Sequence, residues 1–489
     1  MSYNESSHSF VGNCVYYHSI YEWKQKKRGF FMESNQNETK QDEINQDKIN
    51  QEKKKREIIV IGAGMAGLLI AYYLKKQGKD VLVLEANAVA SGQTGRTTAK
   101  ITSQHALKYH KLMQSMDVKK AMLYARANEE AIAEYERLIR EEKIECRFKR
   151  VPAYLYTSQN PGLLKQEAEA ASLLGIDAFF TTETELPFEV TGAVCFRNQA
   201  QFSPMEFVKY IAAKLEIMEH TKVIRIRGNR LITESGEFLA EKIIMATHYP
   251  IRNVPGFYFM REHQERSCVL ELASCDKTVG SYPLEGMYYG IDSDGLSFRQ
   301  AGENLLLGGG SYRTGENEYG GTYEKLVQAA KQYFPECKEV SRWSAQDCMP
   351  HDGIPFIGRF SVFTPNLYVA TGFQKWGMTT SMVAAMLLRD MICGIENPYA
   401  KLFAPQRFLI RAATGNFLKD VGMSVKGLVK GFFHKKAPRC AHMGCELVWN
   451  PDEQSYDCPC HGSRYDADGK LLDNPSVHDL QRKKCDSQH

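Results

Sequence analysis

The feature that most constrains this fold is a glycine-rich turn between a predicted strand and a predicted helix. Residues 58–61 are a short apolar strand, residues 62–67 read Gly-Ala-Gly-Met-Ala-Gly, and a helical stretch follows from Met65 to Gln77. A second strand is predicted from Asp80 to Leu84. Strand, glycine turn, helix and strand in this order open an α/β domain of the doubly wound type. The glycine spacing is that of a dinucleotide-binding turn.

Each glycine of this turn has its own physical task. Gly62 permits the tight turn, Gly64 lets the backbone approach a pyrophosphate, and Gly67 allows the helix to pack closely on the strand. The helix N-terminus offers unpaired N–H groups and a partial positive charge to the phosphates. Glu85 follows the second strand, where a carboxylate can accept hydrogen bonds from ribose hydroxyls. The predicted cofactor contacts in this region are Gly62, Gly64, Met65, Ala66, Gly67 and Glu85.

A second constraint lies near the C-terminus, where cysteines and histidines are clustered. The segment reads Cys-x-His and, further on, Cys-x-x-His, with one additional cysteine in each half. Two cysteines and two histidines at this spacing are ligands for a metal centre, and a tetrahedral zinc site is one interpretation. Most of the 13 cysteines lie elsewhere without ligand spacing, and they are interpreted as buried or idle thiols.

Composition and charge exclude several classes of protein. The net charge of +4 is too small to favour a nucleic-acid partner. No run approaches the ~18 apolar residues of a membrane-spanning helix, and no secretory signal is evident, so a cytoplasmic location is expected. Residues 33–56 are almost entirely polar or charged, which predicts disorder. Residues 1–56 are therefore expected to form a disordered extension, with Met32 as an alternative translation start.

Two segments further along the chain distinguish FAD from a nicotinamide cofactor. They read HDGIPFIG at 351–358 and NLYVATGFQKWGMTTS at 366–381, and the loop at 91–98 reads SGQTGRTT. With these segments, the chain from about residue 57 to 403 resembles the D-amino-acid oxidase, glycine oxidase and sarcosine oxidase family of flavoproteins. The resemblance implies FAD, and a closing helix whose N-terminus stabilises negative charge on the reduced flavin. The positions matched to FAD contacts are Arg96, Thr97, Val223, Gly372, Phe373, Gly377 and Met378.

The C-terminal cysteines and histidines resemble a Rieske protein more closely than a zinc site. The resemblance implies a [2Fe-2S] cluster, a disulfide bracing the two ligand loops, and hydroxyls that donate to the cluster sulfurs. Imidazole ligands and such hydroxyls raise the reduction potential, so a value in the upper Rieske range, up to about +300 mV, is expected. The implied ligands are Cys440 and Cys458 on one iron and His442 and His461 on the other. The implied disulfide joins Cys445 and Cys460, and the implied hydroxyl donors are Ser463 and Tyr465.

The predicted architecture is an α/β FAD-binding domain of the Rossmann type at residues 57–403. An α+β substrate domain is expected to be interleaved with it at about 145–350. A small all-β Rieske domain is expected at residues 437–489, after a linker helix at residues 404–436. The linker is basic and amphipathic. Packing against the flavin domain is expected for it, and peripheral contact with a membrane is the alternative.

The flavoprotein resemblance implies oxidation of a C–N bond in an amine or amino acid. Asp347 stands where glycine oxidase-like members have an arginine for the substrate carboxylate, and Thr379 stands where sarcosine oxidase-like members have a lysine. These departures favour a cationic amine that has no carboxylate. Cys348 is offset from the position of covalent flavin in some relatives, so non-covalent FAD is expected. The candidate catalytic or substrate-binding residues are Lys375, Arg299, Tyr288 and Tyr289.

The expected function is that of a FAD-dependent dehydrogenase. Electrons would pass from the substrate through FAD and the Rieske cluster to an unidentified acceptor other than O2, because an oxidase that used only O2 would need no cluster. The alternative is a redox sensor or electron-transfer protein without a dedicated small substrate. A Rieske oxygenase is disfavoured, since the sequence offers no grouping of two histidines and a carboxylate for a mononuclear iron.

Overall fold

The structure is a computed structural model that describes residues 54–273, 284–407 and 438–481. Its strands are β1 (Lys55–Ile61), β2 (Val81–Leu84), β3 (Lys100–Ile101), β4 (Lys149–Thr157), β5 (Ala178–Thr181), β6 (Gly192–Gln201), β7 (Glu216–Met218), β8 (Val223–Arg227), β9 (Arg230–Thr233), β10 (Gly236–Met245), β11 (Glu262–Leu272), β12 (Met287–Gly290), β13 (Ser297–Ala301), β14 (Asn304–Arg313), β15 (Glu339–Pro350), β16 (Phe356–Arg359), β17 (Leu367–Thr371), β18 (Val448–Asn450), β19 (Ser455–Asp457), β20 (Arg464–Asp466) and β21 (Leu471–Asp473). Its α-helices are α1 (Met65–Lys76), α2 (Tyr109–Ser115), α3 (Val118–Glu141), α4 (Gly162–Leu173), α5 (Pro204–Ala213), α6 (Thr322–Tyr333), α7 (Gly377–Cys393) and α8 (Ala400–Phe403). Single 3-10 turns lie at Gln93–Arg96 and Tyr258–Met260.

The first sheet carries the glycine turn. In the described residues it has 8 strands in the order β16-β17-β10-β1-β2-β7, with the hairpin β8–β9 paired to β10. Strands β1, β2, β7, β10 and β17 are parallel. All four residues of β2 are buried, as expected for a parallel strand covered on both faces. Helix α1 is buried over most of its length and shares the main core with α7. The predicted α/β class is confirmed.

The first strand begins slightly earlier than predicted. Polar composition predicts disorder through residue 56, whereas β1 begins at Lys55. The two charged residues are held there because Lys55 pairs in register with β10, while Arg56 forms ion pairs with Asp80, at 3.0 Å, and with Glu216. Residues 1–53, with the alternative start, lie outside the described residues.

The second sheet takes most of its strands from the range predicted to form the substrate domain. It has 9 strands in the described chain, in the order β15-β11-β14-β13-β12-β4-β6-β3, with β5 beside β6. Most of its pairs are antiparallel, and β4–β12 is parallel. The interleaving is finer than a single range at 145–350, because β7 to β10 return to the first sheet within that range. Local sequence carries no marker for such a return.

The third sheet is a small antiparallel meander of β18 to β21, in the segment predicted to be an all-β domain. Its loops are bonded to β11, β14 and β15 of the second sheet through the side chains of Arg266, Arg313 and Ser344. Before it, residues 404–407 form a loop, in which Arg407 pairs with Asp352 at 2.8 Å. The rest of the predicted linker helix, with its amphipathic segment, lies outside the described residues. In the described ranges, no helix combines the length and apolarity needed to cross a membrane.

Arg266 on β11 is the central contact between the second and third sheets. Its side chain is completely buried, and its guanidinium lies 2.9 Å from the carboxylate of Glu453 and 3.7 Å from that of Asp473. A further hydrogen bond of 3.1 Å joins it to the Gln346 side chain. Because the charges are buried, removing the arginine leaves two carboxylates with reduced compensation inside the protein.

We expect Arg266→Leu to lower the free energy of unfolding of the third sheet by about 3–5 kcal/mol, the usual cost of breaking a buried ion pair. A urea titration, monitored by a spectroscopic signal that comes from the third sheet alone, measures this free energy of unfolding. The matched control is Arg342→Leu, because Arg342 forms an exposed pair with Glu339 and such pairs contribute about 0–1 kcal/mol. Equal, small effects of the two substitutions would contradict the importance of the buried pair.

Candidate cofactor sites

A cavity of about 420 Å³ opens where the parallel strands of the first sheet end. Gly62 follows β1, Glu85 follows β2, Ala246 follows β10 and Phe373 follows β17, and all four line the cavity. In open α/β sheets this carboxyl edge is the usual place of ligand binding. The opposite wall is formed by β11 to β15 of the second sheet, so the cavity lies between the two domains.

The glycine turn has no room for side chains. Gly62 has φ +103°, and a Cβ there would lie 2.5 Å from the backbone oxygen of Ala246. A Cβ on Gly67 would lie 1.9 Å from the oxygen of Gly62. Glu85 accepts hydrogen bonds of 2.7 Å from the N–H of Ala63 and 2.9 Å from that of Asn87. Its carboxylate therefore holds the turn as well as facing the cavity.

Most of the predicted FAD contacts line this cavity. Those that do are Gly62, Gly64, Met65, Ala66, Glu85, Arg96, Thr97, Val223, Phe373, Gly377 and Met378. Gly67 and Gly372 do not line the cavity. Gly372 has φ +75°, and its backbone packs on the ring of Pro350. The N–H of Met65 donates to the Thr94 hydroxyl at 2.9 Å. This N–H of a predicted cofactor contact is therefore hydrogen-bonded to a side chain that was not among the predicted contacts.

Two of the predicted catalytic candidates lie outside the cavity. Arg299 is buried and donates to the backbone oxygens of Thr98 and, at 2.8 Å, Phe202. Tyr288 is fully buried, and its hydroxyl donates to Glu185 at 2.9 Å. Both side chains thus hold the second sheet together, and neither lines the cavity, so the structure gives no support to a catalytic role for them.

The other two candidates, Lys375 and Tyr289, line the cavity. Lys375 Nζ donates to the Ser267 hydroxyl at 2.7 Å and lies 3.5 Å from Asp347 and 3.7 Å from Glu265. Burial raises the pKa of Asp347 to about 6, although the lysine charge opposes that rise. Burial would also raise the pKa of Glu265, but the hydrogen bond from its histidine neighbour and the lysine charge lower it to about 2. One ammonium is therefore shared between two carboxylates.

Lys100 is a cavity residue that the sequence analysis missed. Its Nζ donates to the backbone oxygen of Tyr288 at 2.8 Å and to the Ser297 hydroxyl. Burial, and then the nearby charge of Arg299, lower its pKa to about 7. A single lysine after a loop carries no sequence signature, so only the tertiary structure reveals that it faces the cavity.

The cysteines and histidines of the third sheet lie on two loops of matching geometry. The N–H of Cys440 donates to the oxygen of Cys445, and the N–H of Cys458 donates to the oxygen of Ser463, both at 2.9 Å. Each loop contains a left-handed glycine, and these are Gly444 at φ +81° and Gly462 at φ +89°. The matching backbone bonds present the two loops side by side.

The four predicted metal ligands are brought together at the tips of these loops. Cys440 and Cys458 are buried, and the adjacent Cys458 thiol lowers the pKa of Cys440. The rings of His442 and His461 lie 5.1 Å apart. Nδ1 of His442 is buried without a hydrogen-bond partner in the described part of the chain, while its Nε2 lies 2.7 Å from the side-chain nitrogen of Asn253. A buried imidazole nitrogen without a hydrogen-bond partner in the described residues, together with a pair of adjacent buried thiols, fits an iron centre with mixed ligands.

The predicted bracing residues surround this group. Cys445 and Cys460 form a disulfide in the structure. The hydroxyl of Tyr465 lies 3.5 Å from the Cys440 sulfur. Ser463 is fully buried, and its hydroxyl accepts a hydrogen bond of 3.0 Å from a backbone N–H. These placements are those expected for donors to a cluster rather than for surface residues.

Residues 57–391 match the family model described as FAD dependent oxidoreductase, which is more than half of the chain. The chain belongs to this family. Residues 424–483 match the Rieske [2Fe-2S] domain. This FAD dependent oxidoreductase therefore binds FAD and a [2Fe-2S] cluster, and the zinc interpretation is excluded.

Relatives support this assignment over different lengths. A putative Rieske 2Fe-2S iron-sulfur protein of Bacillus subtilis, YhfW, is 33% identical over 88% of this chain and 94% of its own length. The gamma-glutamylputrescine oxidoreductase of Escherichia coli is 21% identical over 69% of this chain and 84% of its own length. The crystal structure of glycine oxidase from Geobacillus kaustophilus has a TM-score of 0.58 at 18% identity, covering 73% of this chain and 99% of its own. That last likeness concerns the fold alone.

Two glutamines of this oxidoreductase connect the cavity wall to the second loop of the Rieske domain. Gln264 donates to the backbone oxygen of His461 and Gln346 donates to that of Gly462, both at 2.8 Å. Gln346 also lines the cavity. Neither residue was predicted, because a contact between distant segments leaves no local pattern. A direct hydrogen-bonded connection thus runs from the cavity to a cluster loop.

The Rieske domain also closes part of the cavity itself. Residues 471–474 and 476–477 line it together with the first sheet. Asp473 accepts a hydrogen bond of 3.1 Å from Gln93 and lies 3.9 Å from Arg96, both in the loop predicted to contact FAD. The two cofactor regions therefore share a wall.

Proposed function

We propose that the protein is a dehydrogenase that oxidises the C–N bond of an amine or amino acid and delivers the electrons to an acceptor other than O2. The observation that carries this proposal is the shared wall, in which residues 471–474 and 476–477 of the Rieske domain line the cavity and Gln346, another lining residue, donates to the backbone oxygen of Gly462 in the second cluster loop. Bound FAD would accept a hydride from the substrate, and the [2Fe-2S] cluster would take up electrons singly. The proposed FAD residues are the cavity-lining set given above, and the proposed cluster ligands are Cys440, His442, Cys458 and His461.

The relatives favour a nitrogen-containing substrate. Glycine oxidase and gamma-glutamylputrescine oxidoreductase are named for compounds that carry C–N bonds. The cavity of this chain has a wall suited to such compounds, because serine and tyrosine side chains and one lysine–carboxylate group face it. Tyr289 contributes a ring on which an apolar substrate chain can pack.

Within this proposal, Asp347 selects a cationic amine. Its carboxylate lines the cavity, where it lies 3.5 Å from Lys375 Nζ. Glu265 shares the same lysine, so the ammonium of Lys375 is divided between two carboxylates and compensates the charge of Asp347 only in part. A protonated amine entering this region compensates that charge, whereas a substrate carboxylate would be repelled.

We expect the efficiency of amine oxidation to fall as pH is lowered through about 6. Burial raises the pKa of Asp347 to about 6, so below that pH the carboxyl is neutral and no longer attracts a cation. The value of kcat/KM, which reports the free enzyme, then decreases by up to about tenfold per pH unit. Asp347→Asn should have a lower kcat/KM at pH 8 and should lack this acid limb. If Asp347→Asn shows the same fall of kcat/KM at low pH, that fall belongs to the titration of another group.

The direct test is an anaerobic titration of the purified protein with a panel of amines and amino acids, followed by absorbance and EPR. Bleaching of the flavin together with a reduced Rieske signal, from one compound, is the expected result. Bleaching without a cluster signal would contradict the proposed electron path. No bleaching by any compound, with reduction only by a second protein, would replace the proposal with an electron-transfer role.

A further inference from the structure

One connection of the flavin domain covers the histidine side of the cluster site. It joins β10 to β11, and two of its side chains reach the two predicted histidine ligands. The Asn253 amide lies 2.7 Å from Nε2 of His442. The ring of Phe259 stands edge-on to the ring of His461, at 5.8 Å and 89°. The environment of both imidazoles is therefore set partly by a domain other than their own.

The two nitrogens of His442 have different surroundings. Nδ1 is buried and makes no hydrogen bond to the described residues, so it is the nitrogen available to iron. With Nδ1 bound to a metal, a neutral imidazole carries its hydrogen on Nε2. An asparagine amide can turn either its nitrogen or its oxygen toward a neighbour, since the two are interchangeable by a half-turn. Toward an Nε2–H group, Asn253 presents its oxygen and accepts.

The backbone around Asn253 is ordered by local hydrogen bonds. Its carbonyl oxygen accepts a 2.7 Å hydrogen bond from the N–H of Phe257, which closes the turn. The neighbouring Arg252 donates to the backbone oxygen of Val254 at 2.8 Å. These bonds order the backbone on both sides of Asn253, and the side-chain amide projects from this turn to His442.

We propose that Asn253 is a positioning residue that orients His442 and tunes the reduction potential of the Rieske cluster from the flavin domain. An acceptor on the outer nitrogen of a metal-bound imidazole makes the ligand more basic. A more basic ligand stabilises the oxidised iron more than the reduced iron. Asn253 therefore holds the potential below the value that the same cluster would have without this contact, which opposes the effect of Ser463 and Tyr465.

The test is a redox titration of the full-length protein with chemical mediators and dithionite, monitored by the EPR signal of the cluster. Asn253→Leu keeps the size of the side chain and removes the acceptor, so we expect the potential to shift upward. Asn253→Asp supplies a stronger, charged acceptor, so we expect a shift downward. The wild-type potential should therefore lie between those of the two variants, below the leucine substitution and above the aspartate substitution. The FAD content should be the same in all three proteins.

A matched control separates this contact from docking of the Rieske domain in general. Asn317 donates to Asn450 and Asp452, both at 3.0 Å, at a part of the interface that includes no cluster ligand. Asn317→Leu should leave the potential unchanged.

If both Asn253 variants keep the wild-type potential, or if the Asn317 variant shifts it as much as Asn253→Leu does, the proposal is overturned. If Asn253→Leu loses its cluster, the direction in which Asn253→Asp shifts the reduction potential still tests the proposal. Because dithionite supplies the electrons, the result does not depend on the proposed substrate.

Discussion

Gly67→Ala is expected to weaken FAD binding strongly while the chain still folds. The added Cβ would lie 1.9 Å from the backbone oxygen of Gly62, and neither that oxygen nor the α1 backbone is a flexible side chain that can move aside. Helix α1 must therefore shift away from the turn, and its N-terminus moves out of alignment with the phosphates. A conflict of about 3 kcal/mol in a packed interior corresponds to about a hundredfold loss in affinity.

The flavin content of the purified variant, measured by absorbance after release from the protein, checks this expectation. The control is Gly162→Ala at the exposed start of α4, where the nearest atom to an added Cβ is a side-chain oxygen at 3.1 Å. This substitution should leave the flavin content at the wild-type level. Full flavin content in the Gly67 variant would show that the cavity holds FAD without the glycine turn.

Cys458→Ser is expected to remove the iron–sulfur cluster and leave FAD in place. The residue is fully buried beside Cys440, and a thiolate is the ligand that an Fe–S cluster requires at this position. Iron and sulfide content should fall to background, and the Rieske EPR signal should disappear. FAD should remain, because Cys458 does not line the cavity.

Cys195→Ser is the matched control, since Cys195 is also a buried free cysteine but lies on β6 in the second sheet. Its iron content should equal that of the wild type. Retention of the cluster in the Cys458 variant would rule out this residue as a ligand. Loss of both cofactors would instead indicate that the cluster is required for the whole fold.

The features that could be predicted from the sequence are those whose physical causes are local. The turn at residues 62–67 is specified by neighbouring glycines, and the cluster loops are specified by ligands a few residues apart, so both appear in the structure where the spacing places them. The α/β class follows from the same turn. The disulfide partners, Cys445 and Cys460, were implied by resemblance and are paired in the structure.

The features that could not be predicted depend on side-chain direction or on distant segments. Tyr288 and Tyr289 are consecutive strand residues, so their side chains point to opposite faces and only one can reach the cavity. The sequence did not indicate which face that was. Arg266, Gln264 and Asn253 meet the Rieske domain across long stretches of chain, and their roles depend on how the sheets dock, which no local pattern records.

The shared wall has a consequence for how the protein is assembled in a cell. The cavity begins at residues 62–67 and is completed by residues 471–477, and Gln93 and Asp473 are bonded across a separation of 380 residues. A growing chain on the ribosome therefore exposes an open flavin cleft until residues 471–477 have been synthesised. Closure requires the iron-binding sheet to fold and dock. Docking of the Rieske domain, rather than assembly of its cluster, is therefore the step that completes the flavin site.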